Sequence, residues 1–436
     1  MLRATASGRF RQRWVSLPIR ARVASAGLGL MSAALAVGLA TMVMTGTAGA
    51  AAHGGRRTLR SARVGKAADF VIGTVQATSG TFAPLGQDTL HGLEAEIAIL
   101  NKRGGILGHH IELVSTDDNS SAQEAVSAVQ QMVRSHRLNA FVPDTVLGNI
   151  QLPITKSILS VSICSQAVCG DGKTFPDAFS MNPPTSVQVP PMIAYAKKKG
   201  LKKTVVVAEN TSEGQYFASQ VQVAEARAHV AKSPTIYYDP TATSITSELQ
   251  QARATGAQAV YLWATGSGPS VVMSGMQSLG WKAPVIGVSA IFTGPIQSLV
   301  PKALWPQVTC MCYSSGVLLK GKVSPVLAPL AAELKKVGGV HSLLVAALGA
   351  DIGSAISYAY TKAGRLNMAA AVKALASIGS NKKYPGQEFW TFRHVNPDFH
   401  GLVHDPVNAK LAAGFFAVAH PGKPVDGAFP GYAFNY

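Results

Sequence analysis

Eleven histidines, four cysteines and the acids of this 436-residue chain are the first places to look for chemistry. The histidines are scattered. His109-His110 falls on a turn entering an apolar run, and His394, His400 and His404 share a polar loop in which Gly401 argues against the helix that would aim two of them at one metal. They read as surface side chains. Cys164 and Cys169 flank four residues in a loop, a spacing that a short disulfide closes, whereas Cys310 and Cys312 stand two apart in a strand-like run, near the upper limit of Cα separation for bridging. Both pairs read as disulfides or structural thiols, because neither spacing follows a zinc pattern and no histidine lies close by. Asp117-Asp118, followed by Asn119-Ser120-Ser121 and by apolar Ala122, Val126, Val129 and Val133, reads as a helix start and not as a catalytic carboxylate pair. No phosphate-binding loop, nucleophile elbow, H-E-x-x-H, EF-hand or dinucleotide fingerprint occurs, so neither a cofactor nor a metal is expected.

The elements that must position any site are strands and helices in alternation. Phe70 to Val75 is an apolar run, Thr78 to Gly86 a loop rich in small residues, and Leu90, Leu93, Ile97 and Leu100 form the stripe of a helix with one buried face. A Gly-Gly turn and a second apolar run ending at Asp117-Asp118 complete a strand-loop-helix-strand unit. Such a unit places a pocket at the carboxyl end of its first strand, beside free N–H groups of the helix. The pattern continues through strands at 139–142 and 160–163, breaks at Asn182-Pro183-Pro184-Thr185, and resumes with strands at 205–208, 235–238, 259–263 and 285–288. From Pro325 the sequence turns helical, and the apolar segment 342–363 reads as a buried helix because Asp351 and two terminal tyrosines argue against a membrane span. Strands are expected again at 389–392 and 415–418.

Ser79-Gly80, Gly86, Gly92, Leu100-Asn101, Gly104-Gly105-Ile106-Leu107-Gly108 and Asp117-Asp118 stand in one order over about fifty residues. This set resembles the extracytoplasmic solute-binding proteins of branched-chain amino acid ABC transporters, the Leu/Ile/Val-binding family, and more weakly so does nearly the whole chain after the leader. The resemblance implies an α/β, two-lobed type I periplasmic-binding-protein fold, each lobe a doubly wound parallel sheet, with three hinge crossovers. The expected boundaries are lobe 1 at 68–184 and 313–405, and lobe 2 at 185–312 and 406–436, the third crossing falling near 400–411. It also implies an ABC permease as partner, a small organic solute as ligand, no catalysis, and a monomer. Carried over residue by residue, the ligand site draws on Ser79 and Leu85 of the first loop, Thr145 and Leu147 after the third strand, and Ser165 and Gln166 after the fourth. From the second lobe it draws on Glu213, Thr265 and Ser289. Ser289 stands, uncharged, where relatives bind the ligand ammonium with an acid; Glu213 replaces that acid from another loop, or the ligand lacks an ammonium. A ligand sensor of the same fold and a secreted hydrolase are the competing readings.

The net charge of +17 invites a nucleic-acid reading, but the first 66 residues hold eleven cations and no acid. That leaves 28 cations against 22 acids, an excess of six, in the remainder. No nucleic-acid partner is expected, and Lys197-Lys198-Lys199 with Lys202 and Lys203 reads as a solvated helix end complementing the helix dipole. Residues 1–50 combine that charge with an apolar stretch from Val23 to Met44 and the small residues Thr47-Ala48-Gly49-Ala50-Ala51. They read as a secretory signal peptide or, since about 22 apolar residues span a bilayer, as an uncleaved anchor. Residues 51–67 form a basic linker, and either reading sends the rest of the chain out of the cytoplasm.

Overall fold

The computed structural model describes residues 70–377 and 416–434, apart from short stretches at 165–166, 171, 173, 183–184, 295, 314–315, 319–320 and 324–326. Its first sheet grows around β1 (Phe70–Gln76), buried at every position but Val71, because a strand covered on both faces has no polar side to present. The chain continues through α1 (Ala83–Lys102), β2 (Ile111–Asp117), α2 (Ala122–Ser135), β3 (Ala140–Val142), α3 (Gly148–Gln151), β4 (Ser160–Ser162) and β5 (Ala178–Ser180). These strands lie in the order β2-β1-β3-β4-β5, and every pairing is parallel. The helix start foreseen after Asp118 begins at Ser121, whose hydroxyl accepts the Glu124 N–H.

A second sheet follows from α4 (Thr185–Lys198), β6 (Thr204–Glu209), α5 (Ser212–Ala228), β7 (Thr235–Tyr238), α6 (Thr246–Ala254), β8 (Ala259–Trp263), α7 (Gly268–Ser278), β9 (Val285–Val288), α8 (Ile296–Leu299), β10 (Val308–Tyr313) and β11 (Val317–Leu318). After α9 (Ala328–Leu334), α10 (Leu343–Ala363) and α11 (Met368–Ala376), β12 (Phe416–Ala419) and β13 (Phe429–Ala433) complete it in the order β11-β13-β12-β10-β9-β8-β6-β7. Only β12 runs against its neighbours.

The chain leaves the first sheet at the proline break between β5 and α4. It returns after Leu318, since α9 and α10 pack on α1. It passes over again between α11 and β12, along a path outside the described residues. The sequence reading returns the chain at Tyr313; β10 and β11 instead both belong to the second sheet. Strands β5 and β13 are additions to that reading, the first being three residues long and the second containing Pro430 and Gly431. The leader, the expected strand at 389–392, the three histidines beyond it and the stretch 400–411 lie outside the described residues.

The first lobe is held by a close crossing of α1 and α10. A Cβ on Gly92 would stand 2.0 Å from the Ala346 carbonyl oxygen, and one on Gly349 would stand 2.3 Å from that of Thr89. Buried Asp88 fixes the start of α10 by accepting the His341 and Ser342 N–H groups at 2.9 and 2.7 Å. Helix α10 is long and apolar enough to cross a membrane, but 83% of its apolar window is buried inside the protein. We expect Gly92→Ala to lower unfolding stability by about 2 kcal/mol or more through overpacking, measured by urea denaturation; an unchanged midpoint would show that the two helices can separate at little cost.

Candidate functional site

The carboxyl ends of the parallel strands in both sheets face one interlobe space, and the loops there are shaped by buried carboxylates. Asp144, after β3, accepts the N–H groups of Ala77 at 3.1 Å and Val146 at 2.7 Å, together with that of Leu147. The first and third loops of lobe 1 are thereby tied to one side chain. Burial raises the Asp144 pKa and these N–H groups oppose the shift. Neighbouring Asp118 is pushed up to about 7 by burial first and by the Asp144 charge second. Asp117 accepts the N–H groups of Thr78 at 2.9 Å and Ser79 at 3.2 Å, turning that loop toward Asn119.

In the second lobe Glu209, at the end of β6, accepts from the Thr265 N–H at 2.8 Å, the Thr265 hydroxyl at 3.0 Å and the Tyr238 hydroxyl at 3.3 Å. Its pKa rises to about 7 because burial penalises the charge more than these bonds repay it. Ser289 donates to Gln188 Oε1 at 2.9 Å. At the hinge the Tyr313 hydroxyl donates to Asn182 Oδ1, joining the second sheet to the segment that leaves the first.

The cavity between the lobes is small and partly open, about 40 Å3, or room for about three waters. Leu85, Thr145 and Ile163 line it from the first lobe, with Leu344, Val345 and Leu348 from α10. Glu213, Trp263, Thr265 and Ser289 line it from the second. Among the described residues Glu213 is the one carboxylate in its lining, and neither lysine nor arginine lines it. The Trp263 indole N–H, on a residue 3% exposed, has no hydrogen-bond partner among the described residues. The lobes meet at the mouth. Gly266, at φ +54°, lies so close to Thr81 that a Cβ would stand 2.3 Å from the Thr81 carbonyl oxygen, and Asn149 Nδ2 reaches Ser212 Oγ at 3.5 Å.

Five sequence-derived candidates, Leu85, Thr145, Glu213, Thr265 and Ser289, thus come together around one space. Ser79 does not; its backbone is captured by Asp117 and its hydroxyl donates to Asn119 at 2.6 Å, away from the cavity. Leu147 gives its N–H to Asp144 and packs its side chain against the main core. Ser165 and Gln166 lie outside the described residues. Asn182, Gln188, Tyr313 and the three α10 residues join the lining without having been singled out. Only the prolines beside Asn182 flagged its place, as a lobe crossing. Cys164 and Cys169 are disulfide-bonded with their Cα atoms 6.0 Å apart, and so are Cys310 and Cys312 at 5.2 Å. Among the described residues no three His, Cys, Asp or Glu side chains gather as a metal site.

A sequence profile of the periplasmic binding protein family matches residues 70–394. The chain belongs to that family. It is 22% identical over 229 residues to Leu/Ile/Val-binding protein homolog 3 of Brucella melitensis, a match spanning 50% of this chain and 61% of that relative. A type 1 periplasmic binding protein from Bordetella pertussis superposes with a TM-score of 0.69 at 17% identity, over 84% of this chain and 100% of the other. A branched-chain amino acid transporter substrate-binding protein from Streptococcus pneumoniae, in complex with isoleucine, superposes with a TM-score of 0.65 at 17% identity, over 84% and 99%. The two-lobed fold of this periplasmic binding protein is therefore that of type I.

The raised pKa of Glu209 has a consequence for stability. Below about pH 4.5, the ordinary value for Glu, folded and unfolded chains both hold the proton; between that and about 7 the unfolded chain releases it first. The contribution of this group to stability therefore falls as pH rises through that window, by about 3 kcal/mol at most. Glu209→Gln keeps an acceptor for the Thr265 N–H and cannot ionise. Its melting temperature should fall less than that of the wild type between pH 5 and 7.5; parallel curves would refute the assignment.

Proposed function

We propose that this periplasmic binding protein is the extracytoplasmic solute-binding component of an ABC importer, acting as a monomer that takes up a small organic solute between its lobes and hands it unaltered to a permease. The observation that carries this reading is convergence. Polar side chains from separate strand-to-helix turns of both lobes, Thr145 on one side and Glu213, Thr265 and Ser289 on the other, surround one space, the arrangement a clasping binder needs. The isoleucine complex of the Streptococcus pneumoniae relative supports an amino acid or a similarly sized solute as the class to test first.

The lining narrows the class further. With one acid, no cation and an unpartnered indole N–H among the described residues, the site favours a guest with a positive or neutral hydrogen-bonding head and an apolar body set against Leu85, Leu344 and Leu348. Glu213 then holds the ammonium that the uncharged Ser289 cannot. A space of about 40 Å3 admits such a guest only after the lobes part, so binding is a hinge motion closed by the ligand.

A thermal-shift screen of amino acids, amides and aromatic acids identifies the ligand by a melting temperature that rises with concentration. For an ammonium-bearing ligand, Glu213→Gln should weaken binding more than tenfold, about 1.4 kcal/mol, in titration calorimetry. Unchanged affinity would remove Glu213 from the site, and appearance of a reaction product would overturn the binding role. Gly266→Val should weaken any cleft ligand at least tenfold, because its side chain would strike Thr81 and hold the lobes apart. Equal affinity in this variant would mean that closure does not use that contact.

A further inference from the structure

Charge is segregated along the second lobe. Between Thr185 and Tyr313 the chain carries ten lysines and arginines and five acids. All ten cations are exposed and stand in the last turns of helices or on the turns that follow them into the strands, at the strands' amino ends, the pole opposite the cleft. Five of them, Lys197 to Lys199 with Lys202 and Lys203, lie between the end of α4 and the start of β6. Arg227 and Lys232 close α5, Arg253 lies in the last turn of α6, and Lys282 and Lys302 lead into β9 and β10. Four of the acids, Glu209, Glu213, Asp239 and Glu248, sit at the cleft end. The fifth, Glu225, is buried, with both its oxygens taking up Ser233.

Helix dipoles favour a cation at each helix carboxyl end, which accounts for about one charge per helix. They do not account for five lysines around one helix end or for cations on strand-entry turns. Among the described residues none of the ten forms an ion pair with a carboxylate within 4 Å. Lys197 donates to the Ala228 carbonyl and Arg253 to that of Leu279, while Lys198 and Lys199 lie over the rings of Phe434 and Tyr195. Among the described residues the pole thus concentrates positive potential, which buried Glu225 beside Lys232 offsets only in part.

We propose that this pole is an electrostatic docking surface for an anionic phospholipid bilayer. Eight of the ten cations are lysines, hydrated point charges without the planar fork that reads individual phosphates or bases, which suits a fluid array of headgroups better than a nucleic acid. Of the two readings of the leader, the uncleaved anchor, with an apolar stretch Val23 to Met44 of bilayer-spanning length, would hold this chain at a membrane surface.

The test uses the full chain on vesicles of phosphatidylcholine alone and of phosphatidylcholine with 30% phosphatidylglycerol (about a third anionic,), so that the leader tethers it equally to both. Acylation of individual lysines is followed by mass spectrometry. On the anionic vesicles Lys197, Lys202, Lys203 and Lys232 should react at least fivefold more slowly than on the neutral ones. The difference should vanish in high salt as screening shortens, while first-lobe Lys335 and Lys373 change less than twofold. Reversing Lys199, Lys202 and Lys203 together to Glu should abolish protection at Lys232 and Lys282 without altering affinity for the cleft ligand. Equal rates on the two vesicle types, or protection spread equally to Lys335 and Lys373, would overturn the proposal. Protection by dissolved polyglutamate or RNA but not by vesicles would assign the pole to a polymeric partner and overturn it as well.

Discussion

Carboxylates at strand ends hold the cleft in shape. Loops that leave a parallel sheet carry backbone N–H groups that no strand can satisfy, and leaving them buried without partners costs on the order of 1–3 kcal/mol each. Asp144 takes up three such groups from two loops, Asp117 takes up others from the first loop, and Glu209 takes up Thr265. Each acid therefore fixes where a neighbouring loop stands. The cavity exists because these loops cannot collapse onto the sheet beneath them. The same acids accept burial, which raises the pKa of Asp144 against the N–H groups it accepts and that of Glu209 to about 7.

That role was partly legible from the residues. Apolar runs of strand length gave β1, β2 and β6 to β9 nearly to the residue, since strands buried on both faces leave little ambiguity once helices separate them. Strand β5 escaped notice because three residues, Ala178 to Ser180, carry too little pattern. Strand β13 escaped because Pro430 and Gly431 disguise it, although its place beside the edge tolerates both. The site was harder. Thr145, Thr265, Glu213 and Ser289 came from the family resemblance carried onto strand-end loops, but the same resemblance named Ser79, which sits in such a loop too. Whether a loop residue faces the cleft or the solvent depended on Asp117, 38 positions away, capturing its N–H group. Tyr313 and Leu344 were out of reach for a different reason, namely that a hinge strand and a buried helix look the same in sequence whether or not a cavity opens beside them.

Closure rests on a near balance. Across the mouth the lobes meet through an exposed hydrogen bond of 3.5 Å, Asn149 to Ser212, whose net contribution is about 1 kcal/mol or less, and through a glycine that permits close approach without adding attraction. Contacts of that strength do not by themselves commit the lobes to one state. A guest that bridges Thr145 on one side to Glu213 and Thr265 on the other interacts with both lobes only when they are together. Its binding energy to the second lobe is thus realised only on closing, and by that difference alone it shifts the equilibrium. The rigid parts serve the same end. Glycine-mediated crossing of α1 and α10 fixes the apolar wall of Leu344, Val345 and Leu348 to the first lobe, while the Tyr313 hydroxyl joins the second sheet to the segment that leaves the first at Asn182.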